Sequence, residues 1–155
     1  MRSVTSINLL NLAKIGQLDP IPLSRDLVQR MLAAAKQRLR DAEFTQNSDE
    51  TRFDCAYTAI RTVADIGLHI NGFRTSTSKP GHHQTAVQCL AHTLDVDAGT
   101  VRVLDGLRKQ RNLSDYDGEL VTEAALQECL SQARAILIRV ENVIRTHPAL
   151  RGSGA

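Results

Sequence analysis

Residues 53–70 read FDCAYTAIRTVADIGLHI, and the apolar or small residues of this stretch recur at alternating steps of three and four. These residues are Phe53, Ala56, Ile60, Val63, Gly67 and Ile70. The spacing places them along one face of an α-helix, as in the contact seam of a helical bundle. The opposite face carries a polar stripe, formed by Asp54, Thr58, Arg61, Asp65 and His69. The pattern predicts a long helix over residues 49–71 with one face packed against neighbouring helices.

Helical patterns continue on both sides of this segment. Ser24 is a suitable N-cap for a helix that runs to about Glu43. The apolar stripe of that helix is expected to consist of Leu27, Met31, Leu39 and either Ala34 or Ala35. After the polar loop 73–81, a shorter third helix is predicted to open at His82.

Two more helices complete the predicted fold. Asp97 caps a helix whose apolar face leads into Arg111, and residues 114–118 read as a turn. Thr122 caps a last helix that runs to about Thr146. Because no segment shows the alternating pattern of a strand, the sequence predicts an all-α fold, an up-and-down bundle of four or five helices.

The bundle is expected to occupy residues 24–147. Residues 1–23 read as a separate N-terminal arm, with a short helix and a Pro-containing linker. The arm is interpreted as packing on the body, on a second subunit or on a different protein. Residues 148–155 are expected to form a disordered tail.

The composition narrows the class of function. The 155 residues include 19 basic and 17 acidic ones, so the net charge of +2 points to a local basic patch rather than a generally basic surface. Aromatic residues make up only 3%, which argues against a surface that stacks successive bases. The three cysteines are predicted to be core residues in a reducing compartment. With no long apolar run and no recognisable secretory signal, a cytoplasmic protein is expected.

Residues 108–116 read RKQRNLSDY and place a permanent charge on an apolar helix face. Arg111 follows Leu104 and Leu107 at helical spacing, so its guanidinium requires an anion, a carboxylate or a subunit interface as a partner. A phosphate group is one such partner. The alternatives are stabilisation by the dipole at a helix C-terminus and an ion pair with a nearby carboxylate, from Asp105, Asp115 or Asp117.

Several features accompany this segment: the helix order, the run Ala-Tyr-Thr-Ala-Ile-Arg at 56–61, and Gly-His-His at 81–83. With Arg111-Asn112, they make most of residues 24–147 similar to the HEPN (higher eukaryotes and prokaryotes nucleotide-binding) superfamily of helical bundles. Members of this family carry an Arg, a polar residue beside it and a His four to six residues beyond the Arg. Arg111 and Asn112 match this motif, whereas Tyr116 stands where the His is expected.

The resemblance implies a homodimer in which two motifs face each other across one cleft. Many family members are metal-independent ribonucleases of toxin–antitoxin or defence systems, which implies catalytic roles for Arg111, Asn112 and Tyr116. Arg111 would grip the scissile phosphate, and Asn112 would hold that arginine or else end the helix. A phenol titrates near ~10 and is a poor general base, so Tyr116 is expected to position a phosphate or to pack as a ring.

Basic residues around the motif are further candidates. Arg108, Lys109 and Arg102 are predicted to bind phosphate or RNA, and the alternative is a solvated helix face. His82 and His83 are possible accessory residues, because a histidine from the third helix can supply the acid–base function that the motif lacks. Their alternative role is to cap and pack the start of that helix.

The resemblance leaves two functions open. One is a ribonuclease, and the other is a non-catalytic companion of a nucleotidyltransferase, an antitoxin-like partner or a scaffold dimer. The expected partners are therefore RNA or a nucleotide, a second copy, and a nucleotidyltransferase or a cognate toxin or antitoxin. No cofactor is expected. No metal site is expected either, because Cys89 and His92 lack a second pair of ligands.

Overall fold

The structure is a computed structural model that describes residues 6–118 and 120–151, except for the side chains of residues 115–117. It is mainly helical, which confirms the predicted all-α class. The helices are α1 (Ile7–Lys14), α2 (Arg25–Glu43), α3 (Asp49–Ile70), α4 (His82–Gln88), α5 (Leu90–Thr93), α6 (Ala98–Asp117) and α7 (Glu123–Thr146). Two short strands, β1 (Leu18–Pro20) and β2 (Phe73–Thr75), complete the described elements.

Helix α3 is central to the packing, because it contacts α2, α7, α4, α5 and α6. Its predicted seam is buried from Phe53 to Gly67, and Ile70 packs against the core from a partly buried position. Gly67 permits the close approach of α5, since a Cβ atom at this position would lie 2.7 Å from Thr93 Oγ1. The same helix therefore supports the core and carries the polar stripe.

The predicted helix starts are confirmed by side-chain caps. Ser24, Asp97 and Thr122 each accept a hydrogen bond from the backbone N–H three residues later, at 3.2, 3.0 and 3.1 Å. These bonds satisfy backbone donors that have no partner within the helix. They fix where α2, α6 and α7 begin.

The stripe predicted for α2 is wrong over its first half. The helix buries Val28, Leu32, Ala35, Leu39 and Ala42, whereas Leu27 and Met31 are only partly buried and Ala34 is exposed. The two stripes differ by one position, or about 100° of helix rotation. The sequence carries apolar pairs at 27–28, 31–32 and 34–35, so it does not choose between them.

The predicted turn at 114–118 is also wrong, because α6 continues to Asp117 and ends at Gly118, where φ is 68°. This left-handed conformation is the usual way in which glycine ends a helix. Arg111 therefore lies within α6, more than one turn before its end. The helix dipole acts mainly over the last turn, so it is not the main partner of Arg111. The interpretation of Asn112 as a helix-stop residue is wrong for the same reason.

The expectation that no strand forms is wrong for two three-residue segments. Strand β1 pairs antiparallel with β2, with Leu18 opposite Thr75 and Pro20 opposite Phe73. Segments this short contain too few residues for an alternating pattern to be recognised. The pairing ties the arm to the chain after α3, and Leu9 of α1 is fully buried. Of the interpretations proposed for the arm, the structure shows packing on the body.

The packed structure extends beyond the predicted end of the bundle. Leu150 is 1% exposed and belongs to the core, although residues 148–155 were expected to form a disordered tail. Residues 152–155 of this predicted tail lie outside the described residues.

The cysteines pack as predicted from the composition. Cys89 and Cys129 are buried, Cys55 is partly buried, and all three thiols are free. Burial is the main cause that raises the pKa of Cys89 to about 11 and the pKa of Cys129 to about 12. Both thiols are therefore neutral at physiological pH and serve as small core groups.

No helix in the described ranges has both the length and the apolar character needed to cross a membrane.

His69 joins the end of α3 to the start of α2. The residue is 4% exposed, and its Nε2 atom accepts a hydrogen bond from the backbone N–H of Ser24 at 3.0 Å. Burial is the main cause that lowers the pKa of His69 below its ordinary value of 6.5. Protonation would also remove the acceptor that holds Ser24, the N-cap of α2.

We expect acid to destabilise the protein through His69. The pKa of His69 is lower in the folded state than in the unfolded state, so its contribution to stability is complete above pH 6.5. It is lost as the pH falls from 6.5 towards the folded pKa, because the unfolded state then binds more protons. Urea unfolding near neutral pH and in mild acid measures the loss. A His69→Gln variant should lose less stability between the two conditions than the wild type, and an equal loss contradicts this account.

Candidate functional site

Arg111 lies on the inner side of α6, at the contact with α3. Its side chain is 27% exposed, and its Nε donates a hydrogen bond to Asp54 Oδ1 at 2.8 Å. Its Cζ lies 6.0 Å from the centre of the Tyr57 ring, at the outer limit of a cation–π contact. Leu104 and Leu107 are buried, so Arg111 follows the apolar face of its helix as the sequence predicted.

The carboxylate that binds Arg111 was not among the suggested partners. Asp54 belongs to the polar stripe of α3, whereas the sequence pointed to acidic residues near Arg111 in the chain. Asp105 binds Arg108 instead. The side chains of Asp115 and Asp117 lie outside the described part of the structure.

Asp105 also organises two predicted phosphate-binding residues. Its Oδ1 accepts a hydrogen bond from Arg108 Nε at 2.9 Å, and its Oδ2 lies 3.6 Å from Lys109 Nζ. The Lys109 side chain is 68% exposed, which favours the solvated-face interpretation of this residue. Arg108 is largely buried and lies close enough to Tyr57 for its charge to act on the phenol.

The structure does not bring Arg102 to this site. Arg102 is exposed and precedes Arg111 by nine residues on the same helix. In an α-helix, this spacing corresponds to about 180° of rotation and about 13.5 Å of rise. The two side chains therefore leave α6 on opposite faces.

The other two motif residues also belong to α6. Asn112 is partly buried beside Arg111. The backbone of Tyr116 lies in the last turns of α6, but its side chain lies outside the described residues. The roles predicted for Asn112 in orienting Arg111 and for Tyr116 in positioning a phosphate stay predictions.

His82 and His83 are the first two residues of α4, and their ring centroids lie 4.1 Å apart at an interplanar angle of 49°. Partial burial of its ring lowers the pKa of His83 to about 4, and the positive charges of Arg61, His82 and Arg111 add to this effect. His83 is exposed to solvent, but the charges of Arg61 on α3 and Arg111 on α6 still affect the pKa of its ring. The structure thus brings the histidine pair to the neighbourhood of Arg111.

Three residues of α3 belong to the same site, although the sequence did not mark them as candidate site residues. Tyr57, Arg61 and Asp65 are spaced four apart, so they follow one another along one side of the helix. Burial raises the pKa of Asp65 to about 6, while the charges of Arg61 and His82 lower it. This spacing was visible in the sequence, but Arg61 and Asp65 read there as part of the polar stripe, and Tyr57 and Arg61 as part of the run at 56–61.

Tyr57 is the buried residue of this site. It is 1% exposed, and its hydroxyl has no hydrogen-bond partner among the described residues. Burial raises the pKa of Tyr57 to about 12, although the cations Arg108, Arg61 and Arg111 lower it. The phenol is therefore protonated, so it is a hydrogen-bond donor close to three guanidinium groups.

We call Tyr57, Arg61, His82, His83 and Arg111 the polar cluster. Arg61 differs from the other guanidiniums near it, because no carboxylate among the described side chains lies within 4.0 Å of Arg61. Arg61 is also partly buried, where an unpaired charge is unfavourable. An anion bound at the polar cluster would provide the missing counter-charge.

In the described ranges, no three His, Cys, Asp or Glu side chains gather to hold a metal ion. A small cleft of about 130 Å³ lies between the start of α6 and α7, lined by residues such as Thr100, Ile136 and Arg139. None of its lining residues belongs to the polar cluster.

No protein-family model matches the chain, and no curated protein or solved structure matches it at a significant level. The function is therefore inferred from the polar cluster and from the sequence motif around Arg111.

Proposed function

We propose that this chain is a HEPN-like RNA-binding protein whose polar cluster holds a phosphate group of the RNA backbone. The observation that carries the proposal is the convergence of Arg111 from α6, Arg61 from α3 and the His82–His83 pair from α4. Guanidinium groups suit phosphate because their planar N–H donors match its oxygen atoms in pairs. The Arg111-Asn112 dipeptide stands at this cluster, which supports the HEPN assignment and its up-and-down bundle.

In the ribonuclease form of this proposal, the ribose 2′-oxygen attacks the adjacent phosphorus and the bond from phosphorus to the 5′-oxygen breaks. The products are a 2′,3′-cyclic phosphate and a 5′-hydroxyl, and no metal ion is required. Arg111 stabilises the charge that develops on the phosphate oxygens. Because the pKa of His83 is about 4, its imidazole is neutral at pH 7 and can accept the proton of the 2′-hydroxyl. A water molecule protonates the departing 5′-oxygen, and His83 then releases its proton to solvent, so the step balances. Tyr116 positions the phosphate.

A second candidate is a non-catalytic HEPN companion that binds RNA or a nucleotide. Two observations favour it. A histidine with a pKa of about 4 has a low proton affinity and is a weak base near neutral pH, and Arg111 is already bound to Asp54. Such a protein would act beside a nucleotidyltransferase, as an antitoxin-like partner or as a scaffold. In both candidates, a homodimer would place two polar clusters in one cleft and double the local positive charge.

RNA binding by the purified protein in EDTA tests the phosphate site. We expect salt-sensitive binding, since phosphate contacts release counterions. Arg111→Ala should weaken it by about tenfold or more, because a hydrogen bond to a charged group contributes roughly 1.5–3 kcal/mol. Arg134→Ala is the matched control. Arg134 lies on α7, away from the polar cluster, and its Nε also binds a carboxylate, that of Glu43, at 2.7 Å. Equal RNA affinity of Arg111→Ala and wild type contradicts the proposal.

The fate of the RNA in the same reactions separates the two candidates. Fragments that end in a 2′,3′-cyclic phosphate, formed in EDTA and absent with Arg111→Ala, support the ribonuclease. Intact RNA together with Arg111-dependent binding supports the companion. Cleavage that EDTA abolishes would contradict the metal-independent mechanism.

A further inference from the structure

We propose that Tyr57 and Arg61 form an anion subsite on α3, in which one phosphate group accepts hydrogen bonds from the Tyr57 hydroxyl and from the Arg61 guanidinium. This inference rests on the proposed phosphate-binding function. It adds two donors that lie outside the Arg111-Asn112 motif. The phosphate belongs either to a nucleotide or to the RNA backbone, and both present the same tetrahedral oxygens.

The Tyr57 hydroxyl is the first reason for the subsite. It is buried and has no hydrogen-bond partner in the described part of the chain, although the large majority of buried side-chain polar atoms have one. A phenylalanine would fill the same space without leaving a donor unsatisfied. A ligand oxygen that accepts the hydroxyl hydrogen accounts for the tyrosine at this position.

Arg61 is the second reason. It lies one helical turn from Tyr57 on the same side of α3, so one ligand can reach both side chains. Asp65, a further turn along, senses the charge of Arg61 but is not within 4.0 Å of it, and neither is any other described carboxylate. Among the described residues, the Arg61 guanidinium and the Tyr57 hydroxyl are therefore neighbouring donors without an acceptor.

The position of Arg111 places this subsite at the centre of the polar cluster. Arg111 lies 6.0 Å from the Tyr57 ring, and the charges of Arg61 and Arg111 both act on the phenol and on His83. A phosphate held by Arg111 is therefore a neighbour of the Tyr57–Arg61 pair. The hydroxyl is shielded from solvent in the free protein, so binding of the anion requires side chains around the hydroxyl to move.

Titration of inorganic phosphate into the full chain, followed by calorimetry or NMR, tests the subsite. Tyr57→Phe should bind phosphate about fivefold more weakly, and Arg61→Gln about tenfold or more, since bonds to a charged group are the stronger kind. Arg134→Gln is the control and should bind phosphate like the wild type. Tyr57→Phe should also have a melting temperature equal to or above that of the wild type, because the hydroxyl has no hydrogen-bond partner among the described residues to lose.

The outcomes separate this inference from the proposed function. Wild-type phosphate affinity in Tyr57→Phe overturns the subsite, and so does a lower melting temperature of this variant, which would reveal a partner in the free protein. If the wild type binds no phosphate, the subsite is overturned while RNA binding that depends on Arg111 still stands. The titrations are then repeated with uridine 5′-monophosphate and with an oligouridylate that has no terminal phosphates. If Tyr57→Phe weakens binding of the monophosphate, the phosphate of the subsite belongs to a nucleotide. If it weakens binding of the oligouridylate, the phosphate belongs to the RNA backbone.

Discussion

Replacing Phe53 with alanine is expected to lower the free energy of unfolding by about 3–5 kcal/mol. Phe53 is 1% exposed and belongs to the seam of α3, the helix that contacts most of the others. Its carbonyl oxygen accepts a hydrogen bond from Cys129 Sγ of α7 at 3.8 Å, so this residue lies where α3 and α7 meet. Truncation would leave a cavity between two long helices that cannot readily close.

Phe44→Ala is the matched control, because it removes the same side chain at an exposed position. Phe44 follows the end of α2 and is 53% exposed, so its truncation should change the free energy of unfolding by no more than about 0.5 kcal/mol. Urea unfolding of the two variants measures the difference. Similar destabilisation by both substitutions would contradict the central position of the α3 seam.

Much of the fold was predictable because helix periodicity and caps are local signals. The seam of α3 and the capping residues Ser24, Asp97 and Thr122 needed only the spacing of side chains along one helix. The stripe of α2 was not settled, since adjacent apolar pairs are compatible with two rotations of the helix. The end of α6 was predicted too early, because the helix ends at Gly118, whose backbone is in the left-handed conformation, and not at the turn-forming residues before it.

The site was predictable only in part. The apolar spacing placed Arg111 on the inner face of its helix, and the structure brings the predicted His82–His83 pair to it. Asp54 and Arg61 were missed because polar residues opposite an apolar seam usually face solvent. Their stripe becomes a site only because α4 and α6 pack against α3, and no pattern within one helix reveals such packing.

The salt bridge between Arg111 and Asp54 has a consequence for the proposed function. A carboxylate at 2.8 Å orients the guanidinium and offsets the cost of holding its charge in a partly buried position. It also competes with a phosphate for the same donors. Arg61 carries no such competitor among the described residues, which makes it the guanidinium best prepared for an incoming anion.

The central claim is that the polar cluster binds phosphate, and the pKa of His83 reports on it most directly. The positive charges of Arg61, Arg111 and protonated His82 disfavour protonated His83, and an anion bound among these side chains would favour it. Saturating phosphate should therefore raise the pKa of His83 from about 4 by roughly one to two pKa units. By linkage, phosphate should bind more tightly as the pH falls between the two values.

An NMR titration of the imidazole signals with and without inorganic phosphate makes this measurement. The account predicts that the His83 midpoint moves to higher pH, while the signal of His147, at the end of α7, is not changed by phosphate. A His83 pKa that stays at about 4 in saturating phosphate would contradict the assignment of the polar cluster as an anion site.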